Sequence, residues 1–276
     1  MIKFRFLQMR GGFMNTNETV LITGASSGIG KELALIFAKN KYKVILVSRN
    51  STKLLKVAEE IKNSFNCTSE VIPMDLSCPH GAEGLYEELL SRKISVDILI
   101  NNAGVGSCGL FHQGNLSKYM EVLNLNITSL TILTKLISQD MVKAGHGKIL
   151  NVASTGSYEP GPYIAVYYAT KAYVLSLSQA LHNELKNYGI TVSALCPGAT
   201  ATEFSNRAGK NDSPIAMSPS YVAKCGYKGF MKGKSVIIPG TINKLGVLLF
   251  KLLPGKVSAA LVGKSQGKLT MKFKSK

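Results

Sequence analysis

The sequence is poor in acidic residues, contains no tryptophan, and has neither paired cysteines nor long apolar runs. Its five cysteines are an odd number without a Cys-x-x-Cys pair, which argues against a disulfide framework and favours reduced thiols in the cytoplasm. No apolar run approaches the roughly 18 residues that a membrane-spanning helix needs, so a multispanning protein is excluded. Hydrophobic residues make up 45% and charged residues 18% of the 276 positions, which is typical of a globular chain with a real core.

The shortage of acids leaves a formal net charge of +17, and the imbalance is concentrated near the C-terminus. Residues 213–276 contain twelve lysines and no arginine, aspartate or glutamate. Apolar residues recur there at helical spacing, at Leu245, Leu248, Leu249, Leu252 and Leu253. This pattern predicts either peripheral contact with an anionic membrane surface or a helix packed on the core with a solvated lysine face. Pro254-Gly255 breaks the helix and weakens the membrane interpretation.

Nucleic acid is not expected as a partner, because this basic segment lacks arginine, tryptophan and any recognisable binding motif. At the other end, residues 1–17 mix basic with apolar residues. Met14 follows Gly11-Gly12, which a translated purine-rich ribosome-binding sequence would encode, so we expect Met14 to be the true start. The alternative is a disordered basic tail.

Short β-branched runs alternate with longer helical patterns through the rest of the chain. The predicted strands are 19–23, 43–48, 70–74, 98–101, 148–152, 191–195 and 235–238, and the predicted helices are 29–39, 51–65, 81–91, 117–143 and 163–188. Continuous apolar runs such as VILV and DILI are typical of strands covered on both faces. The alternation predicts an α/β fold, a doubly wound (Rossmann) parallel sheet of about seven strands with helices on both faces. We expect an extension over 1–17, one catalytic domain over 18–240, and a lysine-rich helical extension and tail over 241–276.

A glycine-rich segment, TGASSGIG, links the first predicted strand to the first predicted helix. Glycines permit a tight turn and let the backbone approach a ligand closely. The helix N-terminus that follows offers free N–H groups and a positive dipole end to a pyrophosphate. In this context the segment predicts a dinucleotide site rather than a mere turn. Its members are Gly24, Ser26, Ser27, Gly28, Ile29 and Gly30.

Further motifs follow in a fixed order. Asn101-Asn102-Ala103-Gly104 comes after the fourth predicted strand, Ser154 after the fifth and Pro197-Gly198 after the sixth, and Tyr167 precedes Lys171 by four residues in a helical stretch. Together with the glycine loop, this series resembles the short-chain dehydrogenase/reductase family, in its single-domain NADP-preferring branch. The resemblance covers residues 19–238, which is most of the chain.

The residues at the end of the second predicted strand, Ser48-Arg49-Asn50, indicate which nicotinamide cofactor is preferred. An NAD-preferring site would place an acid there to bind the ribose 2′-hydroxyl. Ser48 replaces that acid, and the guanidinium of Arg49 can bind a 2′-phosphate bidentately. The sequence therefore predicts NADP(H), with a surface cap at Arg49 as the alternative.

The resemblance implies further cofactor contacts. Asp75 would accept a hydrogen bond from the exocyclic amine of adenine, and Leu76 would lie beside it. Asn102, with Ala103 and Gly104, would line the adenosine side and brace the sheet. The backbone of Pro197-Gly198 would flank the nicotinamide amide, and Thr202 would bond that amide or a phosphate.

The resemblance also implies a catalytic set. Reduction of a ketone needs a hydride at carbon and a proton at oxygen, and Tyr167 would exchange that proton as general acid and base. A free tyrosine has a pKa of about 10, so the ammonium of Lys171 is expected to lower the pKa of Tyr167. Ser154 would donate a hydrogen bond to the substrate oxygen. Asn126 would hold a water linked to Lys171, with Asn124 as the alternative; Tyr168 is expected to pack instead.

The substrate wall is expected at residues 105–111, 155–163 and 203–231. Its apolar members predict a hydrophobic ketone or aldehyde and its alcohol: Cys108, Leu110, Phe111, Tyr158, Tyr163, Phe204 and Met217. The segment 207–213 is predicted to be a mobile lid. The four histidines form no ligand-spaced cluster, so no metal is expected.

The sequence thus predicts an NADP(H)-dependent oxidoreductase of the carbonyl reductase or alcohol dehydrogenase type. The alternative is a non-catalytic NADP(H)-sensing or membrane-surface binding protein on the same fold. Because members of the family often pair two long helices across a two-fold axis, we expect a homodimer or homotetramer. We expect the protein in the cytoplasm, with peripheral contact with an anionic membrane if the lysine-rich end binds lipid.

Overall fold

The computed structural model describes residues 18–209, 213 and 215–271. The expected extension over residues 1–17, including Met14, lies outside the described residues, as do the last five residues of the lysine-rich tail. Residues 210–212 of the predicted lid also lie outside them, as does residue 214.

In the described part of the chain, seven parallel strands form one sheet in the order β3-β2-β1-β4-β5-β6-β7. Their bounds are β1 Thr19–Thr23, β2 Lys43–Ser48, β3 Ser69–Pro73, β4 Ile98–Asn101, β5 Gly147–Val152, β6 Ile190–Leu195 and β7 Val236–Ile237. The chain winds outward from β1 in one direction and then from β4 in the other. This confirms the predicted doubly wound fold, and each predicted strand matches an observed one to within one residue at either end.

Helices connect the strands and cover both faces of the sheet. Their bounds are α1 Gly28–Lys39, α2 Ser51–Phe65, α3 Gly81–Ser91, α4 Leu116–Leu123, α5 Leu130–Ala144, α6 Ala165–Glu184, α7 Phe204–Arg207, α8 Pro219–Met231, α9 Thr241–Leu252 and α10 Gly255–Met271. Helix α8 is absent from the sequence-based prediction. Its local signal is a Ser-Pro pair: Ser218 accepts a hydrogen bond from the backbone N–H of Tyr221, and Pro219 begins the helix.

Two long helices differ from their predicted form. The predicted helix 117–143 is α4 and α5 joined by a π-helical turn at Asn124–Ser129. The predicted helix 163–188 begins only at Ala165, because Tyr163 has a φ of 67° that a right-handed helix does not allow. Both differences lie beside the candidate site.

The core consists of an apolar layer on each face of the sheet. Val20 and Ile22 of β1 face the layer formed with α1, α2 and α8, whereas Leu21 between them faces α3 and α5. All three side chains are fully buried, as expected for the central strand of a parallel sheet. Burial of each contributes about 1.5–3 kcal/mol, so β1 holds the loop that follows it in a fixed position.

Helices α9 and α10 continue the chain beyond β7. Helix α9 ends at Leu252 and α10 begins at Gly255, so the break predicted at Pro254-Gly255 is observed. Val247 and Val262 are buried and attach the two helices to the rest of the protein. In the part of the chain that the structure describes, no helix is long and apolar enough to span a membrane.

Candidate active site

The carboxyl ends of the parallel strands open into a cavity of about 810 Å³. Of the predicted site residues, Gly30 and Asn126 are not part of its lining. The others line it: Gly24, Ser26, Ser27, Gly28, Ile29, Ser48, Arg49, Asp75, Leu76, Asn102, Ala103, Gly104, Ser154, Tyr167, Lys171, Pro197, Gly198 and Thr202. The sheet therefore gathers segments that lie up to about 180 positions apart in sequence, since parallel strands all end at the same edge.

The glycine loop adopts a shape that side chains would prevent. Gly24 and Gly28 have φ values of 66° and 57°, in the left-handed region that favours glycine. A Cβ on Gly30 would overlap the carbonyl oxygen of Gly24 and the amide nitrogen of Asn102. The Asn102 amide braces the turn by donating to the carbonyl oxygens of Thr23, at 2.9 Å, and Gly24, at 3.2 Å.

The first turn of α1 faces this loop with uncapped N–H groups. Ser27 occupies the N-cap position, yet its side chain makes no capping hydrogen bond. Uncapped amides at a helix N-terminus carry the positive end of the helix dipole and bind phosphate groups. The loop and the helix start therefore fit the pyrophosphate of a dinucleotide.

The end of β2 carries a polar group without a partner. The hydroxyl oxygen of Ser48 is buried and makes no hydrogen bond to the described residues. Beside it, Arg49 lines the cavity, and its Nη1 lies 3.3 Å from Glu121 Oε1 and 3.7 Å from Asp75 Oδ2. An unpartnered hydroxyl next to a guanidinium fits a phosphorylated ribose, although the two carboxylates compete for the same cation.

Asp75 is held as a hydrogen-bond acceptor. Its Oδ1 accepts from the backbone N–H of Ser77 at 2.9 Å and from the Ser77 hydroxyl at 2.6 Å. Burial disfavours the charged form, but these hydrogen bonds and the nearby guanidinium of Arg49 lower the pKa of Asp75 overall. The carboxylate therefore stays ionised and has acceptor capacity where it lines the cavity.

Ser154, Tyr167 and Lys171 come together on the opposite side. Ser154 follows β5 and begins a short 3₁₀ turn, and its Oγ accepts from the backbone N–H of Gly156 at 3.1 Å. Its hydroxyl also hydrogen-bonds Tyr167. Lys171 lies one turn further along α6, so its Nζ reaches to 5.7 Å from the centre of the Tyr167 ring. The Lys171 ammonium donates to the carbonyl oxygen of Val152 at 2.7 Å.

Burial shifts the titration of both groups. It raises the pKa of Tyr167, and the hydrogen bond with Ser154 opposes the rise only in part. Burial lowers the pKa of Lys171 to about 8. The sequence predicts a lowered pKa for Tyr167, whereas the structure gives a raised one. The reason is that desolvation of the phenolate outweighs the polar contacts that the chain itself supplies. At pH 7 Lys171 remains mostly protonated, so a positive charge stays near the Tyr167 ring.

Asn126 lies in the π-helical turn between α4 and α5 and is fully buried. Its Oδ1 accepts from the backbone N–H of Val105 at 3.0 Å, and its Nδ2 donates to Val105 O at 2.9 Å and to Thr170 Oγ1 at 3.0 Å. A Cβ on Gly104 would lie 3.2 Å from Asn126 Oδ1 and 3.4 Å from Lys171 Nζ. The two side chains therefore converge on the same backbone position.

Asn124 points elsewhere, since its amide donates to the carbonyl oxygen of Ser77 at 3.5 Å. The extra residue of a π turn re-aims the side chains that follow it, and such turns are frequent at functional sites. The turn thus brings the side chain of Asn126, rather than that of Asn124, to Thr170, the residue directly before Lys171.

The loop after β6 contributes Pro197, Gly198 and Thr202 to the cavity wall. The backbone N–H of Thr155 donates to the carbonyl oxygen of Pro197 at 2.8 Å, which ties this loop to the Ser154 turn. A Cβ on Gly28 would lie 3.0 Å from Thr202 Cγ2, so Thr202 sits directly against the glycine loop.

The substrate wall differs from the one expected. Phe204 lines the cavity, with its ring centre 5.0 Å from that of Tyr167. Phe111 is exposed and stacks on Tyr119 at 5.3 Å, and Tyr158 packs against Cys196. Among the described residues, several expected members do not line the cavity: Cys108, Leu110, Phe111, Tyr158, Tyr163 and Met217.

Three further segments contribute to the wall: Glu159, which lies within the expected stretch 155–163, Tyr168 of α6, and Ser265, Gln266 and Leu269 of α10. Tyr168, expected only to pack, packs against Gly161 and also faces the cavity, where its hydroxyl accepts a hydrogen bond from Gln266 Nε2 at 3.2 Å. Burial raises the pKa of Glu159 to about 7. This wall therefore combines the apolar side chains of Phe204 and Leu269 with the polar side chains of Glu159, Ser265 and Gln266. No local signal in residues 255–271 indicates the contribution of α10.

Comparison with known proteins gives the same class as the fold and the cavity, a dinucleotide-binding α/β protein. The sequence model described as short chain dehydrogenase matches residues 18–213. The chain belongs to the short-chain dehydrogenase family.

Among curated proteins, the chain is 33% identical over 195 residues to a very-long-chain 3-oxoacyl-CoA reductase of Rattus norvegicus. That match covers 68% of this chain and 61% of the rat protein, so the chain spans less than two thirds of that relative's length.

Two solved structures are similar over most of the fold. A short-chain dehydrogenase from Sphingobium yanoikuyae in complex with NADPH is 33% identical, with a TM-score of 0.77 over 86% of this chain and 96% of that one. An alcohol dehydrogenase from Comamonas testosteroni, described as specific for bulky-bulky ketones, is 32% identical, with a TM-score of 0.74 over 87% and 96%.

Proposed function

We propose that this protein is an NADP(H)-dependent oxidoreductase that interconverts a hydrophobic ketone or aldehyde and its alcohol. The observation that carries the proposal is the position of Ser154, Tyr167 and Lys171 in the same cavity as the glycine loop. A binding protein that only senses the cofactor has no need of this set. The expected division into residues 1–17, 18–240 and 241–276, and the cytoplasmic location, stay predictions.

The side chains divide the proton chemistry among them. When bound, the reduced nicotinamide supplies the hydride for the carbonyl carbon. Tyr167 donates its proton to the carbonyl oxygen, and the Ser154 hydroxyl hydrogen-bonds the same oxygen and stabilises the charge that develops there. The Lys171 ammonium favours the phenolate that remains on Tyr167.

Asn126 does not line the cavity and acts on Ser154, Tyr167 and Lys171 only as a positioning residue. By fixing Thr170 and the backbone of Val105, it positions Lys171, the next residue in the chain after Thr170. The water expected between Asn126 and Lys171 stays a prediction.

The cofactor assignment rests on the partnerless Ser48 hydroxyl, on Arg49 and on the uncapped start of α1. The NADPH held by the Sphingobium relative supports it. For the substrate, Phe204, Ile215 and Leu269 supply an apolar wall. The names of the relatives suggest two classes of bulky carbonyl compound, 3-oxoacyl thioesters and ketones with two large substituents.

A coupled binding and turnover experiment tests the function. We expect fluorescence titration to give tighter binding of NADPH than of NADH, and bulky ketones or 3-oxoacyl thioesters to oxidise NADPH with formation of the alcohol. Small hydrophilic ketones are the negative control, since they cannot bury apolar area against Phe204 and Leu269. Binding of NADPH without turnover of any carbonyl compound would instead support the non-catalytic sensor.

Arg49→Gln tests the cofactor preference separately. Loss of a charge-assisted contact with the 2′-phosphate should weaken NADPH binding about tenfold and leave NADH binding within about twofold. Arg92→Gln is the matched control, because Arg92 pairs with Glu88 and Glu70 on the surface. Equal weakening of both cofactors by Arg49→Gln would show that this arginine does not read the 2′-phosphate.

A homodimer or homotetramer formed through the two long helices also stays a proposal. It is supported by apolar side chains that α4 and α6 leave exposed, namely Leu116, Met120 and Tyr173.

A further inference from the structure

Helices α9 and α10 carry an exposed surface that combines leucines with lysines. We define the α9–α10 surface by its apolar and basic members: Ile242, Leu245, Leu248, Leu249, Leu252, Val257 and Leu261, with Lys244, Lys251, Lys256, Lys264 and Lys268. The five apolar residues of α9 are between 55% and 78% exposed. At 100° per residue they fall within an arc of about 120°, so they form one continuous stripe along the helix.

The stripe lies opposite the attachment of α9 to the protein. Val247 is buried, and Asn243 contacts the loop after β6, because a Cβ on Gly198 would lie 2.5 Å from Asn243 Oδ1. Isolated exposed leucines, such as Leu55 of α2 and Leu90 of α3, also occur. A run of five on one helix face is different, since contiguous exposed apolar area marks an interaction site.

The positive charge of the α9–α10 surface indicates which kind of partner it binds. The sequence contains no acidic residue after Asp212, so the lysines of α9 and α10 have no acidic neighbour on their own helices. All five lysines are exposed, and Lys251 also contacts Tyr158, with its Nζ 4.9 Å from the centre of that ring. A second copy of the chain would bring the same positive charge to this face, and like charges repel.

We propose that the α9–α10 surface docks the protein on an anionic lipid bilayer. The leucine stripe enters the boundary between headgroups and acyl chains, and the lysines contact anionic headgroups. The two helices lie on the membrane without crossing it. The break at Pro254-Gly255, which weakened a single long membrane helix, allows two short helices to lie on the surface together.

Docking places the candidate active site next to the lipid. The same α10 supplies Ser265, Gln266 and Leu269 to the cavity wall, and Gln266 hydrogen-bonds Tyr168, the neighbour of Tyr167. A helix is about 10 Å across, so one helix separates the docked face from the cavity. This second step rests on the proposed function: a hydrophobic carbonyl compound dissolved in the membrane would enter past α10.

Vesicle flotation of the full-length protein tests docking without reference to activity. We expect the protein to float with vesicles of phosphatidylcholine and phosphatidylglycerol, to float at least tenfold less with phosphatidylcholine alone, and to be released in part by high salt. The double variant Leu245→Gln/Leu249→Gln should lose most of the binding, and Lys264→Gln/Lys268→Gln should make the remainder less sensitive to salt.

Leu55→Gln is the matched control, because Leu55 is 60% exposed on a helix remote in sequence from the stripe. It should float like the unchanged protein, and all variants should keep their circular dichroism spectra and NADPH affinity. Failure to float with anionic vesicles, an equal loss in Leu55→Gln, or self-association that the leucine variant abolishes would overturn the proposal. Flotation without carbonyl reduction would refute only the proposed function.

Discussion

Tyr167→Phe should lower kcat for carbonyl reduction about a thousandfold and leave the Kd for NADPH within about threefold. The substitution removes one oxygen atom, which carries the proton that we propose is donated, and keeps the ring. That ring packs against Phe204 with centres 5.0 Å apart, so the cavity wall should remain in place. Initial-rate kinetics with the best bulky ketone, together with fluorescence titration of NADPH, would measure both quantities.

Tyr168→Phe provides the matched control. Tyr168 is the next residue, lines the same cavity and has a hydroxyl that accepts a hydrogen bond from Gln266. Its loss should change kcat only a few-fold, because a neutral hydrogen bond contributes about 1 kcal/mol. Equal losses in the two variants would contradict the assignment of the proton to Tyr167, as would loss of NADPH binding in Tyr167→Phe.

Gly30→Ala should weaken NADPH binding at least a hundredfold. The new Cβ would overlap the Gly24 carbonyl oxygen and the Asn102 amide, and both belong to the turn that shapes the phosphate site. Relief requires movement of backbone, which costs about 1–3 kcal/mol in a packed interior and opens the loop. Isothermal titration with NADPH and the thermal unfolding midpoint would report the two effects.

Gly84→Ala is the control for inserting a methyl group at a helical glycine. Gly84 lies inside α3, and nothing approaches an added Cβ within 4 Å. This variant should keep its NADPH affinity and gain up to about 1 kcal/mol of stability, because alanine favours helix over glycine. If Gly30→Ala bound NADPH as well as Gly84→Ala does, the glycine loop would not be the phosphate site.

Local patterns in the sequence were sufficient to predict the architecture. The VILV run of β2 and the ILI run of β4 indicate buried parallel strands because hydrophobic periodicity depends on neighbouring residues alone. The glycine positions were equally readable, since a left-handed φ at Gly24 and Gly28 is a property of the backbone at those residues. The topology followed because right-handed crossovers leave few alternatives.

The pKa values and ion pairs of the site side chains could not be predicted from local sequence patterns. The sequence predicts a lowered pKa for Tyr167 from Lys171 nearby, but burial of the ring dominates and raises it. Arg49 was predicted to bind the 2′-phosphate, and no local pattern indicated that its Nη1 would lie 3.3 Å from Glu121 Oε1, 72 positions along the chain. Burial and ion pairing depend on which distant segments are packed together.

The sequence by itself determined the strands of the sheet, the glycine loop and the order of the motifs along the chain, because each is recorded in a pattern of neighbouring residues. Only the tertiary structure decided that the π turn brings Asn126 to Thr170, and that α10 forms a wall of the cavity while α9 leaves its leucines exposed. These features depend on packing between distant segments, such as Tyr168 and Gln266, which are 98 positions apart. Hydrophobic periodicity shows which face of a helix is apolar but not what covers that face.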